Sequence, residues 1–166
     1  MKNNIIIVLL FALCFGFKAQ AQDSHVKSIS VDNILKGLSS EEQSQLKDRL
    51  YGRTSFIYVT SKGEVDFVET EGKPFEVIEI EDLNATSFLK GTILKSDKCK
   101  VLILNVGDTI PTTLNIDLSS FLSLEYILIR GQEEKQLAAV ESVLSKAILE
   151  GTATARLLIE KISKDR

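Results

Sequence analysis

The chain is poor in the residues that most chemistry needs. It has one histidine, His25, no tryptophan, two cysteines, one methionine and two prolines in 166 residues. A single histidine excludes a Ser-His-Asp triad, a Cys-His dyad and a multi-histidine zinc site built within this chain. No GxxxxGK[ST] and no GxGxxG occurs, so no phosphate cradle is written into it. There is no Asp-rich calcium loop with its central Gly and closing Glu. Without Trp, and with Tyr51, Tyr58 and Tyr126 as the polar aromatics, a stacking platform for sugars or bases is poorly supplied. Neither a metal nor a cofactor is implied. A pI near 5.3 argues against nucleic acid as a partner, which would call for a basic face.

Composition is otherwise that of a globular domain, with 44% hydrophobic and 26% charged residues. The first 21 residues read as a secretory signal. Lys2 gives a positive start, Ile5 to Phe17 is an apolar run, and Ala19-Gln20-Ala21 offers small residues where a signal peptidase cuts. As a helix those thirteen residues would rise about 20 Å, short of the roughly 30 Å hydrocarbon core, which disfavours an uncleaved anchor. Cys14 raises a lipoprotein alternative, but Leu13 is too bulky for the position before a lipidated cysteine. Cleavage after Ala21 is expected, with the protein periplasmic or extracellular and no transmembrane span left. The mature chain of 145 residues then carries 18 basic and 23 acidic groups, a charge of −5, and Cys99 as its one thiol. Cys99 reads as a small buried hydrophobe; a disulfide-linked dimer and a reactive thiol are the alternatives.

The mature chain, 22–166, reads as a single mixed α/β domain with 22–29 frayed. Val31, Ile34 and Leu35 follow Ser30 at helical spacing. Ser39 and Glu42 form a capping box that opens a helix over 39–51, with Leu46 and Leu50 on its inner face. A hairpin over 55–69 and a third strand over 75–80 suggest an antiparallel meander. Ser87 to Leu94 suggests a short helix. Lys100 to Val106 and Tyr126 to Ile129 are apolar on both faces, which requires burial on both faces, as in a central parallel strand. Gln132 to Leu149 carries a stripe of Leu137, Val140, Leu144 and Ile148 and predicts a helix. Residues 152–162 fit a helix or a strand. The apolar residues Val101, Leu104 and Val106 recur 23 positions on as Leu124, Ile127 and Ile129. That spacing is similar to leucine-rich repeats, but it covers too few units to bury a core and reads as an α/β rhythm.

Two constellations could carry function. Glu64 to Asp82 holds eight acids and one lysine, a charge of −7, while Lys90 to Lys100 carries +3. The acidic stretch is either a solvated surface or a face for an envelope protein partner of basic character, or for divalent cations, with Glu79, Glu81 and Asp82 foremost. The second is the set of strand ends. Ligands gather beyond the C-terminal ends of parallel strands, where Glu81, Asp82, Asn105, Asp108 and Arg130 are expected. Turn chemistry, and a pairing of Arg130 with Glu133 or Glu134, explains the same residues without a ligand. Asp108-Thr109-Ile110 also resembles a short O-glycosylation acceptor. The expected role is a non-enzymatic binding module of the cell envelope. The alternative is a small carboxylate-based hydrolase or divalent-metal-dependent enzyme working at the strand ends.

Overall fold

A computed structural model gives the fold for residues 26–89, 96–108, 110, 117–150 and 154–163. The expected signal, His25, Lys90 and Lys95 lie outside the described residues, as does most of the expected 87–94 helix. The part of that helix within them, 87–89, is the end of a 3-10 helix, Leu83–Leu89.

Seven strands form one sheet: β1 Ile29–Ser30, β2 Phe56–Val59, β3 Val65–Val68, β4 Val77–Ile80, β5 Val101–Asn105, β6 Tyr126–Gly131 and β7 Arg156–Lys161. Their order is β1-β7-β6-β5-β4-β2-β3, and every pair is parallel except β2 with β3. Three α-helices accompany them: α1 Val31–Lys36, α2 Ser40–Leu50 and α3 Glu134–Glu150. This is the single α/β domain expected from the buried strands.

Side-chain alternation builds two cores from one sheet. Ile57, Val59, Ile78, Ile80, Leu102, Leu104, Ile127, Ile129 and Leu157 point to one face, covered by the α3 stripe and by Leu83, Phe121 and Leu124 from the connections. Val77, Val101, Ile103, Leu128 and Leu158 point to the other, covered by α1 and α2 through Val31, Ile34, Leu35, Leu46 and Leu50. β4, β5, β6 and β7 are neighbours in chain order. Crossovers of the usual right hand then leave on the same side, which is why the described parts of the connections, with Leu83, Phe121 and Leu124, share one layer with α3. The strands step by 24, 25 and 30 residues in register, not 23. Leu104 pairs with Ile129 rather than Ile127, and Leu124 lies in the connection before β6. The 23-residue recurrence therefore joins positions that are not equivalent.

The 55–80 region is not a meander. β4 does not follow β3 into the sheet but crosses back to lie parallel to β2, leaving β3 at the edge. Composition explains the choice. Val77, Ile78 and Ile80 are buried on both faces, whereas β3 carries Asp66 mid-strand and tolerates solvent. Buried Ser55 fastens the crossing: its Oγ accepts from Thr70 N–H at 2.8 Å and donates to the Lys73 carbonyl at 2.8 Å. The β2–β3 loop is Ser61-Lys62-Gly63, with Gly63 at φ 83°, a left-handed position that suits glycine.

The ambiguous 152–162 stretch supplies a strand, β7. Residues 26–29, expected to fray, are held. Val26 accepts at its carbonyl from Ser145 Oγ at 2.7 Å, Ser28 N–H donates to Glu141 at 2.9 Å, and Ile29 pairs with Leu158. The alternation of Leu157 and Leu158 between the two cores is the signal that decides strand over helix.

Cys99 is 1% exposed, and its Sγ–H donates to the Val101 carbonyl at 3.2 Å. Burial pushes its thiol up to about 12, so it stays protonated and inert at neutral pH. Its flanking Lys98 and Lys100 do not activate it; Lys100 pairs with Glu76 instead.

Candidate functional site

Three polar regions surround the sheet. The first is at the C-terminal ends of the strands, on the face covered by α1 and α2. Asn105 and Arg130 are register partners on β5 and β6, so the structure brings these two expected residues side by side. The α2 helix ends above them with unsatisfied carbonyls, as every helix does. Arg130 Nη2 donates to one of these, Leu50 O, at 2.9 Å. Its Nε donates to Glu160 at 2.8 Å, and Nη1 lies 3.7 Å from Glu79. Asn105 Nδ2 donates to Glu79 at 2.9 Å and to the Ile80 carbonyl at 3.0 Å. Tyr51, just past α2, donates its hydroxyl to Glu160 at 3.0 Å, and the Arg130 guanidinium lies 5.9 Å from its ring centre. Burial, then the Glu160 bond and charge, raise the Tyr51 phenol above its ordinary value.

Arg130 thus pairs with Glu79 and Glu160, not with Glu133 or Glu134. One cation between two carboxylates, with Nη2 on the Leu50 carbonyl, fixes the α2 terminus over the sheet, while Asn105 joins Glu79 to the Ile80 carbonyl. Among the described residues no buried side-chain nitrogen or oxygen lacks a partner. The arrangement is closed on itself.

Of the other three expected residues, Glu81 and Asp82 serve turns, and Asp108 is held through its backbone. Glu81 accepts from Ser61 N–H at 2.7 Å and ties the hairpin loop to the end of β4. Asp82 accepts from Asn84 N–H at 2.8 Å and its Nδ2 at 2.6 Å, opening the 3-10 helix. The Asp82 carboxylate also sits so close over Gly107 that a Cβ there would run into it. The Asp108 carbonyl accepts from Gln136 at 2.9 Å. Among the described residues no hydrogen bond or ion pair joins Glu81, Asp82 or Asp108 to Asn105 or Arg130. Glu160 escapes sequence reading because its strand could not be told from a helix. Glu79 is visible there only as part of the acidic stretch. Tyr51 carries no motif.

The second region is at the N-terminal ends of the strands. Glu76 receives Arg49 at 2.9 Å and Lys100 at 2.6 Å, and Arg49 reaches Glu125 at 3.8 Å. Arg49, Lys100 and Glu125 border a recess of about 240 Å³ with Gln45 and Tyr126. Burial alone would raise the Glu76 carboxyl, but the hydrogen bond from Lys100 and the charge of Arg49 outweigh it, and the net shift is downward. A carboxyl depressed in the folded state stabilises the fold above its unfolded value, and that contribution is lost as pH falls through the folded value. Glu76→Gln is therefore expected to melt below the parent at pH 7, with the gap closing on acidification below the ordinary 4.5. Parallel melting curves at every pH would contradict this.

The third region is the β2–β3 hairpin edge. Phe67 is 49% and Val68 40% exposed, on a strand with acidic neighbours Glu64, Asp66, Glu69 and Glu71. Thr60 N–H donates to Glu64 O at 2.9 Å, which sets the phase of the antiparallel ladder. Asp66 and Val68 then turn their backbone groups to β2, while Val65 and Phe67 turn theirs outward, where no described residue meets them. Phe67 packs edge-on to Phe75, ring centres 5.9 Å apart, which fixes the ring at the hairpin.

Among the described residues no group of three or more His, Cys, Asp or Glu side chains is placed to hold a metal ion, and no helix is long and apolar enough to cross a membrane. Comparison of the chain with protein-family models, with curated proteins and with solved structures finds no match.

Proposed function

We propose that this chain is an exported binding protein of the cell envelope, without catalysis of its own, that meets a partner protein through the acidic β2–β3 hairpin. The observation that carries the reading is the edge of β3, which no described residue covers and where half-exposed Phe67 and Val68 sit among acids. Soluble domains protect such an edge with a bulge, a cover, a very short strand or charge; β3 is short and carries Asp66, yet still exposes the apolar pair Phe67 and Val68. The strand ends offer less for an enzyme: Arg130 Nε and Nη2 donate within the fold with Nη1 beside Glu79, and Glu81 and Asp82 belong to turns. Export rests on the charged start, apolar run and Ala19-Gln20-Ala21 of the sequence.

A photo-reactive residue at position 67, in the organism that makes the protein, tests this. Leu122 is the control: it is 79% exposed, in the β5–β6 connection. The expected result is a discrete envelope-protein adduct from position 67 and none from 122, on a protein whose intact mass begins at Gln22. No adduct at 67, or equal adducts at both positions, would overturn the binding reading. A retained Ile5 to Phe17 segment would overturn the processing.

A further inference from the structure

We infer that the partner docks by strand addition: an extended segment of alternating apolar and basic residues pairs with β3 and becomes the eighth strand of the sheet. The inference rests on the hairpin being the binding face. It goes further in naming the secondary structure and chemistry of what binds.

The backbone supplies the attachment. Val65 and Phe67 present both their N–H and both their C=O groups outward, and an added strand takes up these groups as a regular ladder. Side chains supply the selection. Val65 and Phe67 stand on the same face as Ile57 and Val59, while Asp66 and Val68 stand on the face of Phe56 and Tyr58. An incoming strand alternates likewise. Residues on its Phe67 side meet a half-exposed ring and are selected to be apolar. The residue beside Asp66 meets a carboxylate and is selected to be Lys or Arg. Glu64 and Glu69 flank the strand and extend the same preference at both ends.

A second copy of this chain is the obvious rival occupant. Two β3 strands laid against each other would bring Asp66, Glu64 and Glu69 of both copies together, and like charges across a ladder destabilise it. Charge complementarity selects a basic segment instead.

The test is a fluorescence anisotropy titration of the mature chain with a labelled peptide of alternating valine and lysine. A second peptide has the same sequence but N-methylated backbone at every other residue, which removes ladder donors and keeps all side chains. The parent is expected to bind the first peptide at least tenfold more tightly than the second. Phe67→Pro removes the outward N–H together with the ring that selects apolar residues, and spares the β2 ladder, as edge proline does. It is expected to weaken the first peptide at least tenfold. Asp66→Lys should weaken it similarly, and added salt should weaken binding to the parent. Thermal melts of both variants control for folding, and the methylated peptide needs no variant at all. Equal affinity for the two peptides overturns strand addition. If Asp66→Lys alone then abolishes binding, the acidic-hairpin reading stands without it. A concentration-dependent dimer of the parent, lost in Phe67→Pro, overturns the inference in favour of a second copy.

Discussion

Leu104→Ala is expected to lower the unfolding free energy by about 2–5 kcal/mol, the usual range for emptying a fully buried leucine site. Leu104 is 0% exposed, on the central strand β5, and faces the core that α3 covers. Leu144, also 0% exposed, is the corresponding residue of the α3 stripe, and its truncation belongs in the same range. Both losses are large against a total of about 5–15 kcal/mol. Neutralising Glu69 or Glu71 should change stability by no more than about 0.5 kcal/mol, because both are exposed in the β3–β4 connection. Denaturant melts separate the two classes. If the leucine variants melt like the parent while the acidic ones unfold it, core and surface have been exchanged.

Arg130→Met is expected to cost about 2–3 kcal/mol. Removing one partner of a fully buried ion pair costs roughly 3–5 kcal/mol, because the other charge is left unpaired. The Arg130 side chain keeps 16% of its surface in solvent and Glu79 and Glu160 keep 22% each, so water softens the loss. The effect should spread to α2, whose Leu50 carbonyl loses its donor, and appear as faster amide exchange in that helix's last turn. A stability unchanged by Arg130→Met would mean that the guanidinium is not committed to the fold. The strand ends would then regain their claim as a ligand site.

Much of the fold was legible in the chain. The two apolar runs at 100–106 and 126–129 could only be central strands, and the Leu137-Val140-Leu144-Ile148 stripe could only be a helix packed on them. The Ser39–Glu42 capping box is present, with Ser39 N–H donating to Glu42 at 2.9 Å. Pairing was less legible. That β4 returns beside β2 depends on competition among strands for the interior, which no local pattern states. The strand ends were half legible. Asn105 and Arg130 could be placed by strand phase, because each is the first polar residue after an apolar run. Glu160 could not, since its own strand was undecided, and without Glu160 the closure of the network around Arg130 could not be foreseen. The β3 edge was hidden for a related reason: a meander would have buried it under β4.

Amide hydrogen exchange of the mature chain, with and without the alternating valine–lysine peptide, addresses the binding face most directly. Exchange reports protection residue by residue, so it separates the hairpin from the strand ends in one experiment. With peptide, the Val65 and Phe67 amides should slow markedly. Those of Asp66 and Val68, already paired to β2, should change little, and residues 105–108 and 130 should not respond. Protection appearing at 105–108 and 130, with Val65 and Phe67 exchanging as freely as before, would contradict the hairpin as the binding face and return the function to the strand ends.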